Sequence, residues 1–176
     1  MFALAEKLAK LGLEPYGGKE FQPASPEEIA GLEKTIGARL PEDYRQFLLA
    51  YGPSTFSALV NCTPAAEPLY FGWFFSAAEV LTAIDGWEDA LPESIIPIAD
   101  DGGGNAFCLG VRGADAGKVY FHNHSAGWHA DAERLIERGD PVPPDIRYRT
   151  VHQIASSFRE LIDRMQPEEE VNSPGV

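Results

Sequence analysis

The run from Ile95 to His122 constrains what this chain can fold into more than any other segment. Ile95, Ile96 and Ile98 lead into Asp100-Asp101-Gly102-Gly103-Gly104-Asn105. Phe107, Leu109 and Val111 follow, then a turn from Gly113 to Gly117, then Val119, Tyr120 and Phe121. Apolar residues at alternate positions predict half-buried strands, because successive side chains of a strand point to opposite faces. Glycine supplies the positive φ that tight turns demand and that a Cβ obstructs. The segment therefore predicts an antiparallel meander with an acidic, glycine-rich tip, and Gly104 is expected at positive φ.

Helical signals surround this meander. Leu4, Leu8 and Leu11 share one face of a helix over Phe2 to Leu11. Ser25-Pro26-Glu27-Glu28 is a capping box with proline at the first helical position, opening a helix that buries Ile29, Leu32 and Ile36 and stops at Gly37. Pro41 starts the next, with Tyr44, Phe47, Leu48 and Tyr51 inward and Gly52 as a left-handed cap. Phe56 to Val60 and Leu69 to Phe75 read as strands, the second so apolar that Trp73 is expected in the core. Ser76-Ala77-Ala78-Glu79 repeats the capping box and opens a helix with Val80, Leu81 and Ile84 inward. Asp131 to Arg138 reads as a short helix and the proline-bearing run Asp140 to Pro144 as a loop. Thr150-Val151-His152-Gln153 reads as the cap of a last helix reaching Met165. The expected class is α+β: a mostly antiparallel sheet, helices segregated toward the N-terminus, one mid-chain helix and one C-terminal helix. Residues 1–166 are expected to form a single domain and 167–176 a flexible acidic tail.

With 176 residues the chain can bury a core without disulfides, and Cys62 and Cys108 are expected as buried, reduced thiols. A basic leader and a long apolar run are both missing from the sequence, so a soluble, cytoplasmic protein is expected. The net charge of −13 opposes direct contact with nucleic acid or anionic membrane. Its distribution is uneven. From Gln46 to Val111 there is no Lys or Arg, but there are eight acids: Glu67, Glu79, Asp85, Glu88, Asp89, Glu93, Asp100 and Asp101. Such a surface suits a cationic partner.

Two segments in order, Leu40-Pro41-Glu42-Asp43-Tyr44-Arg45-Gln46-Phe47-Leu48-Leu49-Ala50-Tyr51-Gly52 and the strand running into Asp100-Asp101-Gly102-Gly103-Gly104 with Val119-Tyr120 on the next hairpin arm, resemble the SUKH superfamily. The resemblance spans Ser25 to Met165. Asn105 stands where many relatives place an acid. The superfamily holds bacterial immunity proteins against polymorphic toxins and the yeast cell-wall assembly regulators. The resemblance implies an α+β domain with an immunity or regulatory role exercised by binding a protein.

Other chemistries find little support. His122-Asn123-His124 is contiguous, whereas metal nucleases spread such residues over a ββα unit. His122, His124 and His129 lack an evident further ligand and supporting shell, so no metal is expected. Asp100, Asp101 and Asn105 offer calcium-type oxygens without the loop spacing that would close a site. Gly102-Gly103-Gly104 follows two acids and precedes a strand, the wrong sign and setting for phosphate. No cofactor and no enzymatic activity are expected; an acidic turn acting as a metal or general-base site is the enzymatic alternative.

The partner-binding residues expected are Asp85, Trp87, Glu88, Asp89, Glu93, Asp100, Asp101 and Trp128. Trp87 lies amid charges at a helix end and Trp128 in a polar loop, the composition of an interface anchor. The leading expectation is an immunity protein that neutralises a basic, nuclease-like toxin by presenting carboxylates where phosphates would lie. The alternative is a regulatory or scaffolding module that binds a cellular protein.

Overall fold

A computed structural model describes residues 2–62, 68–87, 90–125, 128–143 and 145–168. The first helix, α1 (Phe2–Lys10), leads into a short strand, β1 (Leu13–Pro15). Helix α2 (Pro26–Ile36) opens on the complete capping box: Ser25 Oγ accepts from the Glu28 N–H, and Glu28 accepts from the Ser25 N–H. Helix α3 (Glu42–Ala50) follows, and Gly52 beyond it takes φ +68°. Four short strands come next: β2 (Ser54–Phe56), β3 (Val60–Cys62), β4 (Leu69–Tyr70) and β5 (Trp73–Phe74). Helix α4 (Ala77–Gly86) carries the second complete capping box, on Ser76 and Glu79. The meander is β6 (Ile95–Asp100), β7 (Ala106–Gly110) and β8 (Val119–His122). Helix α5 (His129–Glu137), strand β9 (Val151–Ala155), helix α6 (Phe158–Arg164) and strand β10 (Met165–Pro167) complete the chain.

Seven strands form one antiparallel sheet in the order β1-β2-β5-β6-β7-β8-β9, and β10-β3-β4 form a second, smaller one. This is the α+β class that the sequence predicts. The inner face of the large sheet carries Phe74, Ile98, Phe107, Leu109, Val119 and Phe121, packed with Leu8, Leu32, Phe47, Leu48, Val80, Phe158 and Leu161 of the helices. Aromatic rings meet at its centre: Phe74 lies 4.6 Å from Phe47 and 4.3 Å from Phe71, and Phe158 lies 5.1 Å from Phe47. Tilted ring pairs at such spacings add to the burial of area. Cys62 and Cys108 are buried free thiols.

Four sequence expectations change. The meander strands are buried on both faces rather than half-buried, because Leu91, Ile95, Ala106, Cys108, Tyr120 and Val151 form a second cluster on the outer face, with Trp87 packed against it. The strand expected over Phe56 to Val60 breaks into β2 and β3, which belong to different sheets. Leu69 to Phe75 likewise divides into β4 and β5, and Trp73 is half-buried rather than core. Val151 to Ala155 is not the start of a helix but β9, paired with β8; the last helix begins later, capped by Ser157, whose Oγ accepts from the Glu160 N–H. The open edge of β8 offers backbone partners to the β-branched Val151 and Ile154, and that long-range gain outweighs a local cap. Beyond residue 166, Pro167 still pairs in β10 and the Glu168 N–H donates to Leu59 O. Residues 169–176 of the expected tail lie outside the described residues.

Candidate functional site

One rung of the large sheet organises the surface of interest. Glu14 pairs with Thr55, Thr55 with Trp73, Trp73 with Asp100, Asp100 with Ala106, Ala106 with His122, and His122 with Val151. Residues opposite one another across a ladder share a face, and this rung lies on the outer one, beside the second cluster. At the β8–β9 side the rung is buried; toward β5, β2 and β1 it emerges into solvent. There Tyr16, 42% exposed, stacks on Trp73 with ring centroids 5.1 Å apart and planes 5° from parallel.

The acidic tip joins the two halves. Asp100 Oδ1 accepts from the Gly102 N–H at 2.5 Å. Asp101 Oδ1 accepts from the Gly103 and Asn105 N–H groups at 2.7 and 2.9 Å, and its Oδ2 from Asn105 Nδ2 at 2.6 Å. Gly102 and Gly104 take φ +81° and +91°, so the expected positive φ at Gly104 is present. The two aspartates thus cap their own turn, with part of their hydrogen-bonding capacity turned inward. Partial burial raises the Asp100 carboxyl above the ordinary carboxylate range; the Gly102 N–H opposes this and neighbouring Asp101 adds to it. Asn105 Oδ1 accepts from the His124 N–H at 3.1 Å and lies 2.8 Å from His124 Nδ1, tying the tip to the end of β8.

Beside the tip, Trp87, Ala90, Gly104, His122, His124, Trp128 and Thr150 line a cavity of about 230 Å³. Trp87 terminates α4, its N–H donating to Ala83 O and Ile84 O, and its ring stands against His122 at 4.8 Å between centroids. Trp128 immediately precedes α5, and the Arg147 guanidinium lies 5.7 Å from the centre of its ring. His122 is 3% exposed, and its Nδ1 has no hydrogen-bond partner among the described residues. Burial pushes its imidazole down to about 4, with a further contribution from His124, so the ring is neutral near pH 7. His124, by contrast, is exposed and hydrogen-bonded to Asn105.

A second recess of about 340 Å³ lies on the other side of Trp87 and includes Leu91, Glu93, Arg112 and Arg147 in its lining. Its Glu93 carboxylate shares the space with two guanidinium groups, so the acidic window does not produce a uniformly negative wall. Arg112 donates to Ile36 O, and Arg147 donates to Leu91 O at 3.3 Å. Close by, Asp115 accepts from Ser94 Oγ, Tyr120 Oη and Tyr148 Oη at 2.5, 2.7 and 2.6 Å. Partial burial works against its ionisation, but the three hydroxyls and Lys118 outweigh it and hold the carboxyl below the usual range. Burial and Asp115 raise both tyrosines. Ser94 is bonded to the carboxylate and the Tyr148 hydroxyl, and among the described residues no imidazole bonds to it as the base of a nucleophile would.

Of the residues singled out from the sequence, the structure brings Trp87 and Trp128 to one cavity, with the Asp100–Asp101 tip at its edge through Gly104. Asp85 is exposed near the end of α4, and Glu93 faces the other recess. Glu88 and Asp89 lie outside the described residues, as does the side chain of His129. Sequence reasoning missed the Tyr16–Trp73 stack, the floor position of His122 and the Asp115 network. Strand parity was an available signal for one of these: His122 shares the face of Tyr120. Among the described residues, no three His, Cys, Asp or Glu side chains gather where a metal ion could be held. Within the same set, no helix is long and apolar enough to cross a membrane.

A protein of Bacillus subtilis (strain 168), described as "SPbeta prophage-derived uncharacterized protein YokK", is 29% identical over 132 residues, covering 62% of this chain and 67% of the relative. Residues 23–164 match the model of the SMI1 / KNR4 family, SUKH-1, and the chain belongs to that family of immunity and regulatory proteins.

Proposed function

We propose that this protein is an immunity protein that binds a cognate toxin domain and blocks its action, using the outer face of the large sheet around the acidic tip. Family membership supports a protein-binding role. The prophage origin of the Bacillus relative suits a role in conflict between bacteria. The observation that carries the choice of surface is the rung through Trp73, Asp100 and His122. It sets exposed aromatic area, two carboxylates and a tryptophan-lined cavity side by side, and of these Trp73, Trp87 and the Asp100–Asp101 tip lie in the stretch from Gln46 to Val111 that lacks Lys and Arg. Aromatic anchors supply binding energy, and the charge draws in a basic partner such as a nuclease-like toxin.

The test is co-expression with a candidate cognate toxin domain. The parent protein should restore growth and co-purify with the toxin. Asp85→Lys with Glu93→Lys, both exposed positions, should slow association, most strongly at low salt. Failure to bind or neutralise that toxin, together with specific capture of a cellular protein, would replace this reading with a regulatory or scaffolding module. Residues 1–168 should suffice for binding.

A further inference from the structure

We propose that the cavity walled by Trp87, Trp128 and His124 and floored by His122 is a socket for one cationic side chain, arginine or lysine, of the protein partner. The inference rests on the immunity reading and specifies what that surface grips. Four observations point the same way. At about 230 Å³ the cavity is smaller than sites for drug-sized molecules but suits a single side chain. His122 is almost wholly buried, yet its Nδ1 lacks a hydrogen-bond partner among the described residues. Buried polar atoms are nearly always satisfied, and a donor entering the cavity that His122 lines would satisfy this nitrogen.

The chemistry of that group follows from the walls. With the proton on Nε2, a neutral imidazole offers Nδ1 as an acceptor, and a guanidinium or ammonium N–H is a matching donor. Indole rings attract cations through their faces, and Trp128 already carries the Arg147 guanidinium at 5.7 Å. Arg147 does not line this cavity, which leaves the socket itself without a cation among its lining residues. At the rim, Asp101 holds Asn105, and Asn105 holds His124, so the entrance is shaped by hydrogen bonds made before any partner arrives.

Butylguanidinium, with isosteric, uncharged butylurea as control, tests the socket on the parent protein without any toxin. Titration followed by NMR should shift the Trp87 and Trp128 indole N–H signals and the His122 ring signals saturably with butylguanidinium. Butylurea should bind at least fivefold more weakly. Equal binding of the two probes, or no saturable shift at these three residues, overturns the proposal. Ala90→Trp, which fills the cavity from its wall, should abolish probe binding and weaken toxin binding at least tenfold. If that variant does not fold, the titration of the parent alone decides. Toxin binding by a folded Ala90→Trp equal to that of the parent overturns the socket and leaves the immunity reading intact. A parent that takes butylguanidinium at these residues but binds no toxin keeps the cation socket and removes the immunity reading.

Discussion

Asp101 holds Asn105 twice, through the Asn105 backbone N–H at 2.9 Å and its side-chain amide at 2.6 Å. Asn105 in turn reaches His124 at the end of β8, so one carboxylate fixes both the glycine-rich turn and the rim of the candidate site. Asp101→Ala should cost about 1.5–3 kcal/mol, the range for hydrogen bonds to a charged acceptor. Asp100→Asn, which keeps an acceptor for the Gly102 N–H, should cost less. Urea denaturation of the two variants checks the ranking; equal stability of Asp101→Ala and the parent would remove the turn's dependence on this side chain.

Tyr44 lies wholly buried between Phe47 and Phe158, and its hydroxyl has no hydrogen-bond partner among the described residues. Burial also drives its ionisation far upward. Tyr44→Phe keeps the ring contacts and removes the stranded hydroxyl, so it should stabilise the fold by about 1–3 kcal/mol. A lower melting temperature in this variant would show that the hydroxyl is satisfied in solution.

Two glycines with similar backbone angles should respond differently. Gly37 takes φ +64° in open space, so Gly37→Ala should cost about 1–2 kcal/mol from the left-handed conformation alone. Gly52 takes φ +68°, and a Cβ there would meet Gln22 O at 1.9 Å. Gly52→Ala must move backbone as well and should be the more damaging change. Thermal denaturation of both variants distinguishes conformational strain from collision.

Acid should destabilise the protein in two stages. The His122 imidazole titrates near 6.5 in an unfolded chain and at about 4 in the folded one, where burial and His124 oppose its charge. The unfolded state binds the proton first, so stability contributed by this residue falls as pH drops from about 6.5 to 4. Asp115, held below the ordinary carboxylate range, loses its contribution further down, as pH falls through its folded value. Asp100 is raised and acts in the opposite sense, favouring the folded state as it protonates. Urea midpoints at pH 7, 6 and 5 should decline in the parent and flatten in His122→Gln; parallel slopes would contradict the assignment.

Local chemistry made much of the fold legible. Ser25-x-x-Glu28 and Ser76-x-x-Glu79 marked two helix starts because a capping box is satisfied within four residues. The meander was readable because glycine turns and alternating apolar residues act at short range. The failures all depend on distant partners. The division of Leu69 to Phe75 is set by β3 on one side and β2 and β6 on the other. Strand β9 exists because β8 has a free edge. The site was legible to the same degree: Trp87 and Trp128 stood out as aromatics in polar settings, whereas His122 and the Tyr16–Trp73 stack acquire meaning only from sheet register.

The central claim is stoichiometric neutralisation of a toxin by this fold. Its most direct measurement is the activity of a purified candidate toxin domain, titrated with the purified protein. The account predicts a linear loss of activity that ends at one equivalent, and recovery of activity when Trp87→Ala or the filled-cavity Ala90→Trp replaces the parent. Full toxin activity at a tenfold excess of folded parent protein would contradict it.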